Sequence, residues 1–174
     1  MLDSTRRYFR FLPFILCLGL VFSISSQTVF GQSLAYETLL KTLYEDGMEV
    51  LKPEEIEDLS QFQILDTREY NEFKVSHLKG ATCVGFDDLD LDKINKLDKT
   101  KPVLVYCTVG ARSQDVGFKL KDLGFENVYN LYGGIIHWVN EENPVFEGQE
   151  ETDRVHTYSK IWSIWLDKGE RVFD

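Results

Sequence analysis

The chain has 174 residues, 43% of them hydrophobic and 28% charged, with a formal net charge of −10. Those proportions fit one globular domain with short extensions and exclude a disordered chain. The acidic balance argues against nucleic acid or an anionic membrane surface as partner, because either calls for a basic patch. Three cysteines are too few and too scattered for a disulfide scaffold or a zinc site.

Arg6, Arg7 and Arg10 precede an apolar run from Phe11 to Ile24 that closes at Ser25-Ser26-Gln27. This run falls short of the roughly 20 residues that span a bilayer, so residues 1–31 read as a secretory signal cut after Gly31. A cut chain keeps no stable membrane span; an uncut one would be anchored. Cys17 follows Leu16 instead of a small residue, which argues against lipidation. Cleavage removes three arginines and Asp3, takes the net charge from −10 to −12, and leaves Cys83 and Cys107 in a secreted or periplasmic protein.

Residues 32–47 form a short extension. Within it Ser33 to Glu45 spaces Leu34, Leu39, Leu40 and Leu43 for a helix that stops at Asp46-Gly47. The main domain is expected over residues 48–146. Glu49-Val50-Leu51 reads as a strand, Pro53 to Ile56 as a helix start, Phe62 to Asp66 as a strand and Glu69 to Lys74 as a helix. Thr82 to Phe86 predicts a strand, Asp87 to Leu97 an acidic helical stretch, and Asn127 to Leu131 the last strand before a helix through Trp138 and Val139. Strands alternating with helices imply an α/β domain, a mostly parallel sheet covered on both faces, with ligands at the carboxyl ends of its strands. Residues 147–174 form a carboxyl-terminal extension with an aromatic helix around Trp162 and Trp165, expected to dock onto the domain.

The chemistry concentrates between Val103 and Ser113. The apolar run Val103-Leu104-Val105-Tyr106 predicts a buried strand, and Arg112 to Leu123 predicts a helix. Cys107 therefore opens a loop that runs into a helix amino terminus, where unpaired amides and the helix dipole stabilise a thiolate. Gly110 permits the turn, and Arg112 offers a planar cation suited to oxyanions. Thr108, Val109, Ala111 and Ser113 complete the candidate binding loop.

These segments resemble the rhodanese (sulfurtransferase) family. Its catalytic cysteine opens a six-residue loop, here Cys107-Thr108-Val109-Gly110-Ala111-Arg112. Ile64-Leu65-Asp66-Thr67-Arg68 with Glu72-Phe73 matches a second family segment. His77-Leu78-Lys79-Gly80-Ala81 matches a third, with Ser76 where glycine is usual, and Tyr132-Gly133-Gly134-Ile135-Ile136-His137-Trp138 matches a fourth. The resemblance runs from Gly47 to Pro144. It implies a rhodanese-like, doubly wound, five-stranded parallel sheet with the Asp66 strand beside that of Cys107. It further implies persulfide chemistry on Cys107, with no cofactor and no metal. Asp66 and Arg68 are then supporting residues, with Arg68 pairing Glu72; His77 stabilises a turn, and Cys83 lies in the core two strands from Cys107.

The expected function is a single-domain sulfurtransferase. It takes sulfur from a small sulfur-donor anion or a persulfide and passes it to a thiol or cyanide acceptor, a protein acceptor included. Two alternatives stand beside it. One is a binding or persulfide-carrier module without turnover. The other is a cysteine-dependent phosphatase or arsenate reductase, which the resemblance disfavours because such loops space cysteine and arginine by five residues and this chain by four. Thr108 and Val109 match neither the thiosulfate nor the mercaptopyruvate loops of the family, so the donor stays open.

Overall fold

The computed structural model describes residues 34–174. The secretory-signal reading of residues 1–31, Cys17 and Ser33 lie outside them. Residues 34–43 are helical (α1). No helix among the described residues is long and apolar enough to cross a membrane.

Five parallel strands form the central sheet: β1 (Glu49–Leu51), β2 (Gln63–Asp66), β3 (Thr82–Cys83), β4 (Val103–Tyr106) and β5 (Val128–Leu131), in the order β1-β5-β4-β2-β3. β4 occupies the centre because all four of its residues are apolar or aromatic and fully buried. Side chains alternate across a pleated strand. Val103 and Val105 accordingly join Leu65, Val128, and Val116 and Leu120 of helix α4 (Ala111–Asp122) in one core. Leu104 and Tyr106 point to the opposite face and are just as buried, so the sheet is covered on both sides. Asp66 is level with Tyr106 on one side and with Cys83 on the other.

The peripheral elements are shorter than the sequence periodicity predicts. The stretch at Pro53 is one 3-10 turn, Pro53–Glu55, and the predicted helix at Glu69 is a single turn, α2 (Tyr70–Phe73). The strand expected over Thr82 to Phe86 stops at Cys83. The amides of Phe86 and Asp87 go instead to the Glu69 carboxylate, each at 3.1 Å, so a side chain has replaced the ladder. The helix expected from Asp87 to Leu97 is only α3 (Leu91–Ile94), because Asp90 caps it by accepting from the Lys93 amide.

After α5 (Gly134–Asn140) the chain makes an antiparallel hairpin, β6 (Val145–Glu147) with β7 (Glu150–Thr152). It then pairs β8 (Arg154–His156) in parallel with β9 (Glu170–Val172), and between them lies one helical turn, α6 (Lys160–Ser163). The aromatic helix expected around Trp162 and Trp165 is this single turn, which includes Trp162 and ends before Trp165. The Asn140 amide donates to the Trp165 carbonyl and accepts from the Asp167 amide, both at 2.8 Å, and these bonds hold the segment to the end of α5. Val155 and Leu166 anchor it by burial.

Candidate active site

Cys107 follows the last residue of β4 and is 1% exposed. The loop it opens is shaped from behind, through its carbonyls. The carbonyl of Cys107 accepts from the Ile135 amide (2.9 Å) and that of Thr108 from the Ile136 amide (3.3 Å), both at the amino end of α5. The Val109 carbonyl accepts from the Tyr44 hydroxyl (3.0 Å), and that of Gly110 accepts from the Asn130 side chain (2.8 Å). With its carbonyls engaged outward, the loop leaves amides for the sulfur side. The Gly110 amide donates to Cys107 Sγ at 3.1 Å.

Two glycines make this possible. Gly110 has φ 95° as the cap of α4, and a Cβ there would run into the Tyr44 hydroxyl. Gly134 has φ 59°, and a Cβ on it would strike the Cys107 carbonyl. Left-handed backbone and close approach together call for a residue without a side chain. Burial pushes the Tyr44 hydroxyl up in pKa, so it stays protonated and both donates to Val109 and accepts from the Gly133 amide at 2.7 Å. Ser113, expected in the binding loop, lies behind it. Its buried hydroxyl donates to Asn130 Oδ1 at 2.7 Å and so orients the amide that holds Gly110.

Arg112 differs from its expected role as a cation open to substrate. Its guanidinium forms a two-pronged pair with Glu72, both nitrogen to oxygen distances being 2.8 Å, and a further bond to Thr108 Oγ1 at 3.0 Å. Thr108 in turn donates to Glu72 at 3.3 Å. Burial works against the Glu72 carboxylate, yet the bonds and charge of Arg112, with Arg68 behind them, hold its pKa below the ordinary carboxylate value. Burial likewise opposes the charge of Arg112. The Glu72 hydrogen bonds and the neighbouring Cys107 outweigh that opposition, and the guanidinium is held charged.

The predicted pairing of Arg68 with Glu72 is therefore corrected. Arg68 pairs with Asp66, its Nη2 lying 2.7 Å from Oδ2 and its Nε 3.0 Å from Oδ1. Both side chains are completely buried, and Nη2 also donates to the Ser76 carbonyl at 2.6 Å. Short local geometry decides the choice. Asp66 stands two residues away at the end of β2, while Glu72 is carried by α2 to the Cys107 loop. His77 acts as the expected turn stabiliser, its Nδ1 lying 3.0 Å from the Leu78 carbonyl and its ring stacking on Phe73 at 4.2 Å. Cys83 is two strands from β4, as expected. It is partly exposed rather than in the core, and its thiol donates to the Arg68 carbonyl at 3.5 Å.

A cavity of about 350 Å³ opens over Cys107, with Thr108, Val109, Ala111 and Arg112 on its floor. Its outer wall contains Tyr158 and Trp162 from the segment between β8 and β9. The Arg112 guanidinium lies 4.9 Å from the Tyr158 ring centre. His156, buried, sits behind this layer with Nδ1 3.9 Å from Glu72 and Nε2 3.5 Å from Asp174. Sequence reasoning missed Tyr44, Asn130, His156, Tyr158 and Trp162 as site residues. The spacing of Trp162 and Trp165 signals docking, but not where the segment docks.

Comparison with known proteins places this geometry. The Rhodanese-like domain family matches residues 52–141, just over half of the chain. The thiosulfate sulfurtransferase GlpE of Coxiella burnetii is 39% identical over 75 residues, covering 43% of this chain and 69% of that protein. The tRNA uridine(34) hydroxylase of Cytophaga hutchinsonii is 36% identical over 99 residues, 54% of this chain and 32% of its own length. The chain thus spans about a third of the hydroxylase it matches. Among solved structures, a rhodanese-related protein from Thermoplasma volcanium superposes with a TM-score of 0.52 at 26% identity, over 57% of this chain and 98% of that one. A cysteine loop held at the end of the central parallel strand, in a stretch that the family pattern covers from end to end, leads to one conclusion: the chain belongs to the rhodanese-like domain family.

Proposed function

We propose that the chain is a sulfurtransferase that carries sulfur on Cys107. The thiolate attacks the outer sulfur of a donor; the bond between that sulfur and the rest of the donor breaks, and its electron pair leaves with the departing fragment. Thiosulfate would release sulfite in this way. The resulting persulfide anion gives its terminal sulfur to cyanide as thiocyanate, or to a thiolate as a new persulfide, and the Cys107 thiolate returns. The single observation that supports this reading is the Gly110 amide donating to Sγ at 3.1 Å inside an open cavity. An amide so placed stabilises negative charge on sulfur and, one bond further out, on the sulfur that it accepts.

Relatives named tRNA hydroxylase do not bring tRNA with them, since a net charge of −10 repels a polyanion. Intact-mass measurement after incubation with a sulfane-sulfur donor tests the proposal. A gain of about 32 Da, one sulfur atom, reversed by cyanide, is expected on the wild type and not on Cys107→Ser. Hydrolysis of an aryl phosphate dependent on Cys107, with no persulfide from any donor, would overturn it.

A further inference from the structure

The cavity over Cys107 takes part of its wall from beyond residue 141, where the family match ends. Tyr158 and Trp162 share its lining with Phe86 and Val109, so the approach to the sulfur is lined by aromatic and aliphatic surface. We infer that the carboxyl-terminal segment is the specificity wall of the site, and that it selects a donor whose outer sulfur is carried on an apolar, aromatic body. This inference rests on the sulfur-transfer reading above.

Three observations carry it. The first is the way Tyr158 is held. Its backbone sits at φ 66°, a left-handed conformation that residues with a Cβ rarely adopt. The Tyr158 amide donates to His156 Nδ1 at 3.2 Å, and the ring lies over Arg112. The second observation is charge. Arg112 is the only cation among the lining residues; its two terminal nitrogens are engaged by Glu72 and Thr108 and the Tyr158 ring lies over it. The acidic side chains among the lining residues are the carboxylates of Glu69 and Asp87. A small inorganic dianion such as thiosulfate meets repulsion there and finds no uncommitted cation. The third observation is size, since a cavity of about 350 Å³ admits a benzene ring beside the reacting sulfur.

Benzenethiosulfonate and methanethiosulfonate separate the body from the charge. Each is a monoanion, and each gives its outer sulfur to the Cys107 thiolate as the sulfur–sulfur bond breaks and a sulfinate leaves. Charge is conserved, two negative charges standing on each side. With cyanide as acceptor, the ratio of kcat/KM for the benzene donor to that for the methane donor is read in the wild type, Tyr158→Ala, Trp162→Ala and Trp162→Phe. We expect the ratio to fall about tenfold in the two alanine variants, and to be largely kept in Trp162→Phe, which retains a stacking ring. An unchanged ratio in both alanine variants overturns the inference.

A second arm needs neither turnover nor variants. Benzenesulfinate should protect wild-type Cys107 from iodoacetamide at about one-tenth the concentration of methanesulfinate. Equal protection overturns the wall, whether or not sulfur is transferred. Failure of every donor to form a persulfide, with selective protection intact, sinks the sulfur-transfer reading and leaves the wall standing.

Discussion

The central sheet and the carboxyl-terminal segment meet at Cys107, and they are built in opposite ways. From β1 to α5 the sheet region rests on the fully buried strand β4, its largely buried neighbours β2 and β5, and a loop whose carbonyls are tied down from behind. From β6 onward the chain has short strands, one helical turn and exposed apolar side chains such as Ile161, 75% exposed. The first region fixes the Cys107 sulfur to within a hydrogen bond. The second lines the cavity over that sulfur with Tyr158 and Trp162. Burial and hydrogen bonds are concentrated around the Cys107 loop, while the segment that completes its cavity is held by fewer buried side chains.

The largest effect is expected from breaking the sheet region at its buried ion pair. Arg68→Met leaves the Asp66 carboxylate uncompensated among fully buried neighbours, and should lower stability by about 3–5 kcal/mol in urea denaturation. An effect below about 1 kcal/mol would mean that the pair is not what holds β2 against its neighbours.

Next comes Glu72, which stands between the two regions. Its pKa is depressed in the folded state, so its contribution is fully present above the ordinary carboxylate value of 4.5 and is lost as pH falls through the lower native value. The stability difference between wild type and Glu72→Gln should therefore be widest near neutrality, at about 1–3 kcal/mol, and should shrink in acid. A difference that grows on acidification would contradict the Arg112 pairing.

A smaller effect is expected from Tyr44→Phe, which removes the hydroxyl shared by Val109 and Gly133 while keeping the ring. The loss should be about 1–2 kcal/mol, with slower formation of the Cys107 persulfide by stopped mass analysis. Unaltered kinetics would show that the loop holds its shape without this support. The smallest effect sharpens the contrast from the other side. Ile161→Ser, in the exposed turn, should change stability by less than about 0.5 kcal/mol.

Much of the sheet region was legible in advance because its signals are local. A four-residue apolar run, a cysteine, a glycine that needs left-handed backbone and an amphipathic helix stand in one stretch from Val103 to Asp122, and no distant partner is required to read them. The periphery was overread for the same reason. Periodicity at Thr82 to Phe86 and at Asp87 to Leu97 is real, but the Glu69 carboxylate and the Asp90 cap captured the amides that would have extended those elements.

The sequence by itself determined the fold class and the loop that opens at Cys107, since hydrophobic patterning and the glycine at position 110 dictate them within a few residues. Only the tertiary structure decided how Arg112 is used and what faces the sulfur. The acid that claims Arg112 lies 40 residues away, and the tyrosine hydroxyl that spans the loop to Gly133 lies 89 residues from that glycine. Several acids in this chain had the charge to serve, and selection among them depends on which side chains the β2–β4 register and the turn of α2 bring within about 3 Å, a distance that no local pattern encodes.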